Sequence, residues 1–228
     1  LEMFVSNFQT AFNPQLIQSY ASKDFESHKK LLFRASKFSY YLLLIMLIPI
    51  VTNIDFILNL WLAEVPEYTN YFIIFILISY LFNAVSTPFV TSLFATGAIK
   101  FYQISLGVTF LMGLIIVFLA LSLGAEPYSV SVVAIFIQFI LLLFRLYFTH
   151  KHVGFSYKQF ITDVFVPIIA VTILSILPAY LLKEWSTNIW QIILSMTIEI
   201  SFTGLLILLV GMSRGERDYI IKSIKQKI

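Results

Sequence analysis

The sequence predicts an all-α protein, a polytopic bundle of transmembrane helices with six full spans, one partial N-terminal span and a cytoplasmic C-terminus. Three observations support this fold class. Only 12% of the 228 residues are charged and 59% are hydrophobic, whereas a soluble domain carries about 25% charged residues. Six apolar runs are long enough to cross a bilayer. All but one of the Lys and Arg residues fall on one side of the predicted bundle.

The six apolar runs each approach the roughly 17–25 residues that a helix needs to cross the hydrocarbon. They cover 38–62, 67–93, 101–124, 128–149, 160–182 and 188–212. Backbone groups in lipid must find hydrogen bonds within their own segment, so each run is predicted to be a helix. The sequence lacks the strand-like alternation of a membrane barrel.

Residues 2–21 form a weaker seventh run, in which amide side chains interrupt the apolar residues. Gln9, Asn13, Gln15 and Gln18 make this segment too polar for a helix that faces lipid. We predict that it is the end of a span that lines a wet cavity. The chain opens with Leu-Glu-Met and without a signal-peptide pattern, which indicates a fragment whose N-terminal part is absent.

The distribution of Lys and Arg predicts the topology. Fourteen of the fifteen basic residues fall in connections on one side of the predicted bundle, and only Lys183 falls on the other. Cytoplasmic connections carry the basic excess in membrane proteins. Residues 22–37 and the C-terminus are therefore predicted to be cytoplasmic, and the short acidic connections are predicted to be outside.

Two cytoplasmic segments are predicted to be amphipathic helices at the membrane surface. Ser213 and Glu216 fit a capping box, and Ile220, Ile221, Ile224 and Ile228 follow at helical spacing. Segment 22–37 has a candidate buried stripe, which consists of Leu31, Leu32, Ala35 and Phe38. The simplest interpretation of both segments is an anchor on the inner leaflet.

Catalytic chemistry finds little support in the sequence, and we expect neither an enzyme nor a cofactor. The chain has no cysteine, and it has no phosphate-binding loop, zinc-protease motif or nucleophile elbow. Its three histidines, His28, His150 and His152, fall in predicted cytoplasmic loops, where a solvated role is expected over a metal site. The outer connections are too short to build an active site.

A few polar residues within the spans are candidates for function. Glu199 is halfway along the last span, where a charge costs about 3 kcal/mol on insertion scales. It is predicted either to be protonated and hydrogen-bonded within the bundle or to bind a proton or cation. Asp55 is interpreted as interfacial, with a cation site as the alternative. Arg145 is expected to extend to the headgroups, with contact to an anionic substrate as the alternative.

The second half of the span 67–93 is unusually polar and contains Pro88. Asn83, Thr87 and Thr91 lie there at helical spacing. Proline frees a backbone carbonyl one turn earlier, and neighbouring hydroxyl groups can bond to it. The segment is either a kink that packs on another helix or a stretch that lines a substrate path.

Three stretches in series resemble a known family. They are Phe-Asn-Pro-Gln-Leu-Ile-Gln-Ser-Tyr-Ala at 12–21, Asp-Phe-Ile-Leu-Asn-Leu-Trp-Leu at 55–62 before Val-Pro-Glu-Tyr, and Ala-Thr-Gly-Ala-Ile-Lys at 95–100 after Pro88. In this order they resemble the C-terminal half of Wzx-type polysaccharide biosynthesis proteins. These are lipid-linked oligosaccharide flippases of the multidrug/oligosaccharidyl-lipid/polysaccharide exporter superfamily. The resemblance covers residues 1–150, and hydropathy alone extends it further.

The resemblance implies a bacterial inner-membrane transporter of two lobes that moves undecaprenyl-pyrophosphate sugars by alternating access. Residues 1–150 would be the C-terminal transport lobe, 151–212 two additional spans and 213–228 the tail helix. The expected partners are the lipid-linked oligosaccharide, membrane lipid, the missing N-terminal lobe and the polymerase machinery of O-antigen and lipopolysaccharide synthesis, without nucleic acid. The expected substrate cavity comprises Gln9, Asn13, Gln15, Gln18, Asn83, Thr87 and Thr91. The expected contacts to the anionic head group are Lys29, Lys30, Arg34, Lys100 and Arg145.

Three other functions remain open at this stage. A cation-coupled multidrug exporter of the same superfamily is expected to carry a carboxylate at mid-membrane in its substrate lobe. A membrane-bound polysaccharide polymerase is expected to carry a long outer loop with catalytic residues. A purely structural membrane subunit is expected to lose stability, not transport, when its polar residues are replaced.

Overall fold

The computed structural model describes residues 2–183 and 188–218, and this part of the chain contains helices and short connections but no strand. In chain order the helices are α1 (Glu2–Ala21), α2 (Phe25–Thr52), α3 (Ile54–Trp61), α4 (Thr69–Thr96), α5 (Lys100–Ser122), α6 (Ser129–Val153), α7 (Tyr157–Phe160), a π-helical turn (Ile161–Phe165), α8 (Val166–Lys183), α9 (Ile189–Leu206) and a second π-helical turn (Ile207–Gly211). The predicted all-α class is confirmed.

Six helical stretches are long and apolar enough to cross a membrane. They are Phe25–Thr52, Thr69–Thr96, Lys100–Ser122, Ser129–Val153, Tyr157–Leu182 and Ile189–Gly211. The chain is therefore a multi-pass membrane protein. Helix α1 has the length of a span but not the apolar composition, as its amide residues predict.

The first apolar span begins earlier than predicted. Helix α2 runs unbroken for 28 residues from Phe25, so the prediction of a separate surface helix over 22–37 is wrong. The Asp24 carboxylate accepts a hydrogen bond from the Ser27 backbone N–H at 3.1 Å and caps the helix. Leu32 and Ala35 are buried in the bundle, so the apolar stripe faces protein and does not lie flat on a leaflet.

The same span also ends earlier than predicted, because the helix breaks at Asn53. The Asn53 side-chain amide and backbone N–H both donate to the Pro49 carbonyl, at 3.0 and 3.2 Å. A side chain that bonds to its own backbone in this way competes with the helical ladder. Residues 54–61 therefore form the separate helix α3.

Side-chain contacts show that the helices alternate in direction. At one end of the bundle His28 of α2 contacts Ser92 of α4, and Lys37 contacts Glu216 beyond α9. We call this the basic end. At the other end the rings of Tyr68 and Tyr128 lie 5.6 Å apart. The predicted alternation of basic and acidic connections is thus confirmed within the described residues, and the compartment of each end stays a prediction.

Four phenylalanine side chains hold the basic end together. Phe33 of α2, Phe89 of α4 and Phe155 and Phe160 on either side of the α7 start form edge and tilted contacts with centroids 5.5–5.9 Å apart. Aromatic pairs in such geometries add about 0.5–1.5 kcal/mol beyond the area that they bury. The cluster fixes the position of α2 between α4 and the α7–α8 segment.

Helices α2 and α4 are the centre of the bundle. Helix α4 packs on α1, α2 and α6, whereas α8 and α9 pack on α2. Helix α5 packs chiefly on α6 and leaves most of its apolar side chains, such as Leu111 and Phe118, exposed. An apolar helix with this exposure faces lipid.

The predicted tail helix begins within the described residues. The Ser213 N–H donates to the Glu216 carboxylate at 2.8 Å, and the Glu216 N–H donates to the Ser213 hydroxyl at 3.4 Å. The predicted capping box is therefore confirmed. The four isoleucines of the predicted apolar stripe lie within residues 219–228, which are outside the described residues.

Candidate functional site

Helices α1 and α4 are joined by polar side chains at membrane depth. The Gln9 side-chain amide donates to the Ala84 carbonyl at 3.1 Å, near the middle of α4. One turn closer to the basic end, the Thr91 hydroxyl donates to the Asn13 side-chain oxygen at 2.9 Å. We call this contact the α1–α4 seam. Its hydrogen bonds replace those that water would otherwise supply.

The opposite face of α1 also carries polar side chains, and these are exposed. They are Asn7, Thr10, Gln15 and Gln18. Hydrocarbon offers no hydrogen-bond partners, so an amide-bearing face is unfavourable against lipid. This face of α1 therefore borders water or protein, although the seam places the helix beside membrane-spanning α4.

A cavity of about 150 Å³ opens beside the seam. Gln9 of α1, Leu43 of α2 and Asn83 and Thr87 of α4 line it. Thr87 is also bonded within its helix, because its hydroxyl donates to the Asn83 carbonyl at 2.8 Å. The structure thus brings three of the seven predicted cavity residues around one space and places Asn13 and Thr91 next along the seam. Gln15 and Gln18 lie on the exposed face.

Arg145 of α6 is buried beside this cavity, so the expectation that it extends to the headgroups is wrong. Its side chain is only 7% exposed. The guanidinium Nε donates to the Tyr102 hydroxyl at 3.0 Å, and Nη1 donates to the Asn83 side-chain oxygen at 3.1 Å and to the Ser86 hydroxyl. All three partners are neutral. The bundle therefore holds a positive charge beside Asn83, where it can attract an anion.

His28 is fully buried and does not lie in a solvated loop as predicted. Its Nδ1 lies 3.1 Å from the Leu16 carbonyl. Its Nε2 lies 2.7 Å from the Ser92 hydroxyl. His28 thus joins α1, α2 and α4 at the basic end. Its spacing from Leu32 and Ala35 on one helical face is the sequence signal for this burial.

The other two histidines form no metal site with neighbouring ligands. His150 contacts the Phe155 carbonyl through Nδ1 and lies against the Tyr157 ring, while His152 is exposed. No group of three or more His, Asp or Glu side chains in the described ranges is arranged to hold a metal ion.

The predicted anion contacts lie in three separate places. Lys29, Lys30 and Arg34 line a pocket of about 430 Å³ at the basic end, on the side of α2 that faces the α7–α8 segment. Arg145 lies near the α1–α4 seam, and Lys100 is exposed at the start of α5. The five residues therefore do not share one cavity in this structure.

A buried ion pair closes one wall of that pocket. The Lys37 ammonium lies 2.7 Å from the Glu216 carboxylate, and Arg34 Nε lies 3.7 Å from its other oxygen. Burial alone would raise the pKa of Glu216. The bonds from Lys37 and the Ser213 backbone outweigh burial and hold this pKa below its usual range. The carboxylate is therefore charged at neutral pH and links the end of the last span to α2.

Glu199 and Asp55 differ sharply in their surroundings. Glu199 is completely buried in α9, between Ser195 and Thr203 on the same helical face and against Thr52 of α2. Neither of its carboxyl oxygens has a hydrogen-bond partner in good geometry among the described residues. Asp55 is exposed at the acidic end, where the Asn70 amide lies 3.5 Å from one carboxylate oxygen.

Comparison with known proteins finds no relative of this chain. No protein-family model matches the sequence, and no curated protein and no solved structure matches it significantly. The seam, the adjoining cavity and the buried Arg145 are therefore the basis for a functional conclusion.

Proposed function

We propose that this chain is the C-terminal transport lobe of a flippase for lipid-linked oligosaccharides in the bacterial inner membrane. The observation that carries the proposal is the exposed amide-bearing face of α1, which includes Gln15 and Gln18 and lies beside membrane-spanning helices. Such a face is suited to a hydrated cleft that is open to a sugar head group. It is unsuited to lipid. The resemblance of residues 1–150 to the Wzx-type proteins supports the same function.

The proposed mechanism needs no covalent step. A sugar–pyrophosphate head cannot enter hydrocarbon, because burial of its charge and hydroxyl groups is strongly unfavourable. A polar cleft beside α1 lowers this barrier while the polyprenyl tail stays in lipid. Movement of this lobe against a second lobe would then open the cleft to each side of the membrane in turn. Arg145 would contribute a fixed positive charge near Asn83.

Replacement of the exposed amides of α1 tests the proposal. In the cell that encodes the protein, Gln15→Ala/Gln18→Ala is expected to leave membrane abundance unchanged, because neither side chain is buried. Surface polysaccharide is expected to fall severalfold and its lipid-linked precursor to accumulate. The matched control is Gln103→Ala, which removes an exposed amide from α5 and is expected to leave polysaccharide at the wild-type level.

Two results would contradict the proposal. Normal polysaccharide in an abundant Gln15→Ala/Gln18→Ala protein would show that this face does not line the transport path. Loss of the folded protein without a separate transport defect would favour a structural subunit.

A cation-coupled multidrug exporter of the same superfamily is the second candidate, and burial of Glu199 favours it. A buried carboxyl group inside a membrane bundle is suited to uptake and release of a proton or cation. Under this alternative, Glu199→Gln would abolish ion-driven efflux of a fluorescent cationic drug from loaded cells. Under the flippase proposal, wild-type cells and cells that lack the protein would retain the drug equally.

A further inference from the structure

The pocket at the basic end is separate from the proposed transport path. It lies between α2, the π-helical turn that precedes α8 and the segment that follows the last span. Lys30 and Arg34 face it, whereas His28 faces the opposite side of α2 toward α1 and α4. A ligand in this pocket would not contact the α1–α4 seam.

The charges around the pocket leave a positive excess. Four bases line it, Lys29, Lys30, Arg34 and Lys37, against the three acids Glu26, Asp163 and Glu216. Lys29 pairs with Glu26 at 3.1 Å and Lys37 with Glu216 at 2.7 Å. Arg34 lies farther from the shared Glu216, at 3.7 Å, and Lys30 is exposed. Neither base therefore has a close ion-pair partner of its own in the pocket, and the lining keeps one more base than acid.

The pocket has an apolar edge as well as a basic one. Pro167 of α8 and Val210 and Met212 at the end of the last span complete its wall. Val210 and Met212 lie where the last span reaches the basic end of the bundle, and Pro167 lies farther inside the span Tyr157–Leu182. A site that is basic toward water and apolar toward the bilayer fits an amphiphile whose phosphate lies at the headgroup level. Its volume of about 430 Å³ can admit a phosphate ester with part of its glycerol.

We propose that this pocket binds the phosphate ester of an anionic phospholipid headgroup from the leaflet at the basic end. Lys30 and Arg34 contact the phosphate, and Arg34 provides the planar fork that matches its oxygens. The bound lipid bridges α2 and the last span next to the Lys37–Glu216 ion pair. This site is independent of the proposed flippase activity.

Native mass spectrometry of the delipidated full chain tests the proposal with added phosphatidylglycerol, phosphatidylcholine or inorganic phosphate. The wild type is expected to bind phosphatidylglycerol in preference to phosphatidylcholine. Lys30→Gln/Arg34→Gln is expected to weaken that binding about thirtyfold, because each base near a headgroup contributes about 1 kcal/mol. The matched control, Lys151→Gln/Lys158→Gln, removes two exposed bases from the same end and is expected to change affinity less than twofold.

A photo-crosslinking amino acid at Gln159, which also lines the pocket, supplies a second readout. It is expected to capture phosphatidylglycerol in the wild type and not in Lys30→Gln/Arg34→Gln. Circular dichroism is used to verify that both proteins are folded. Equal weakening in the two charge variants would indicate attraction to the whole basic end and overturn the proposal. Binding of inorganic phosphate as tight as that of the lipid would also overturn it, in favour of a soluble phosphate ligand.

Discussion

The side chains of Arg145 and Tyr102 are joined by a hydrogen bond of 3.0 Å from the guanidinium Nε to the phenolic oxygen. Both side chains are buried. Helix α5 exposes most of its other side chains, so this bond is a specific link between α5 and α6. It also helps to direct the rest of the guanidinium toward Asn83 and Ser86 of α4.

Tyr102→Phe is expected to lower the free energy of unfolding by about 1–3 kcal/mol, because it leaves a charged donor without its partner in a buried site. Tyr147→Phe is the control, since Tyr147 is exposed on α6, and it is expected to change stability by less than about 0.5 kcal/mol. Reversible unfolding in mixed detergent micelles measures both. Equal stability of the two variants would show that the bond contributes nothing.

The Lys37–Glu216 ion pair predicts an acid-sensitive attachment of the last span. The folded-state pKa of Glu216 lies below its usual 4.5, so the contribution of this carboxylate is complete above about pH 4.5. It is lost as the pH falls through the folded-state value. Wild-type stability is therefore expected to fall more between pH 6 and pH 3 than that of Glu216→Gln.

Asp163→Asn is the control for this pH series, because Asp163 is an exposed acid at the same end. Its stability is expected to follow that of the wild type. At neutral pH, Lys37→Met is expected to destabilise by about 3–5 kcal/mol, since it leaves the Glu216 charge buried without its closest partner. Parallel pH curves for the wild type and Glu216→Gln would refute the assignment of the acid-sensitive step to this pair.

Gly211, at the end of the last span, is predicted to tolerate no side chain. A Cβ atom there would lie 2.8 Å from the Tyr41 Cζ and hydroxyl oxygen. The Tyr41 hydroxyl donates to the Gly211 carbonyl at 3.2 Å, so the ring cannot move without loss of this bond. Gly211→Ala is therefore expected to destabilise by about 1–3 kcal/mol.

Gly107→Ala is the matched control, because a Cβ at Gly107 of α5 would meet nothing within 4 Å. Alanine is favoured over glycine in a helix by about 1 kcal/mol, so this variant is expected to be neutral or more stable. Thermal unfolding in detergent compares the two. A Gly211→Ala protein as stable as Gly107→Ala would mean that the close approach of Tyr41 is not maintained.

The His28–Ser92 contact predicts that a single hydroxyl group stabilises the basic end. Ser92→Ala removes the 2.7 Å partner of a fully buried imidazole nitrogen, and a loss of about 1–3 kcal/mol is expected. Ser105→Ala serves for comparison, because the Ser105 hydroxyl donates to the Phe101 carbonyl within its own exposed turn. Indistinguishable unfolding of the two variants would contradict this role for Ser92.

The features that the sequence predicts well are those that repeat along one helix. Length and hydropathy identify the spans, and Ser213 and Glu216 identify a helix start, because each signal lies within a few neighbouring residues. His28 shares a helical face with Leu32 and Ala35, and this spacing also predicts that His28 is buried. The charges of Lys29, Lys30 and Lys37 make segment 22–37 look like a helix at the membrane surface, and this is why the prediction of a separate surface helix is wrong.

The features that the sequence does not predict arise from contacts between distant segments. In the sequence, Arg145 lies near the end of an apolar run, where an arginine usually extends to the headgroups. Its burial is favourable only because Tyr102, Asn83 and Ser86 approach it from two other helices. Glu216 lies 179 residues from Lys37 along the chain. No local pattern connects such positions, so the pocket at the basic end becomes visible only when the helices are packed.

Helix α1 carries amides on both sides, and this has a consequence for how the protein is assembled in the membrane. The hydrogen bonds of Gln9 and Asn13 depend on α4, where their partners lie 75 and 78 residues later in the chain. Only three residues separate α1 from α2, so the two are expected to insert as a helical hairpin in which apolar α2 supplies the driving force. Helix α1 would then reach its final position only after synthesis of α4 is complete.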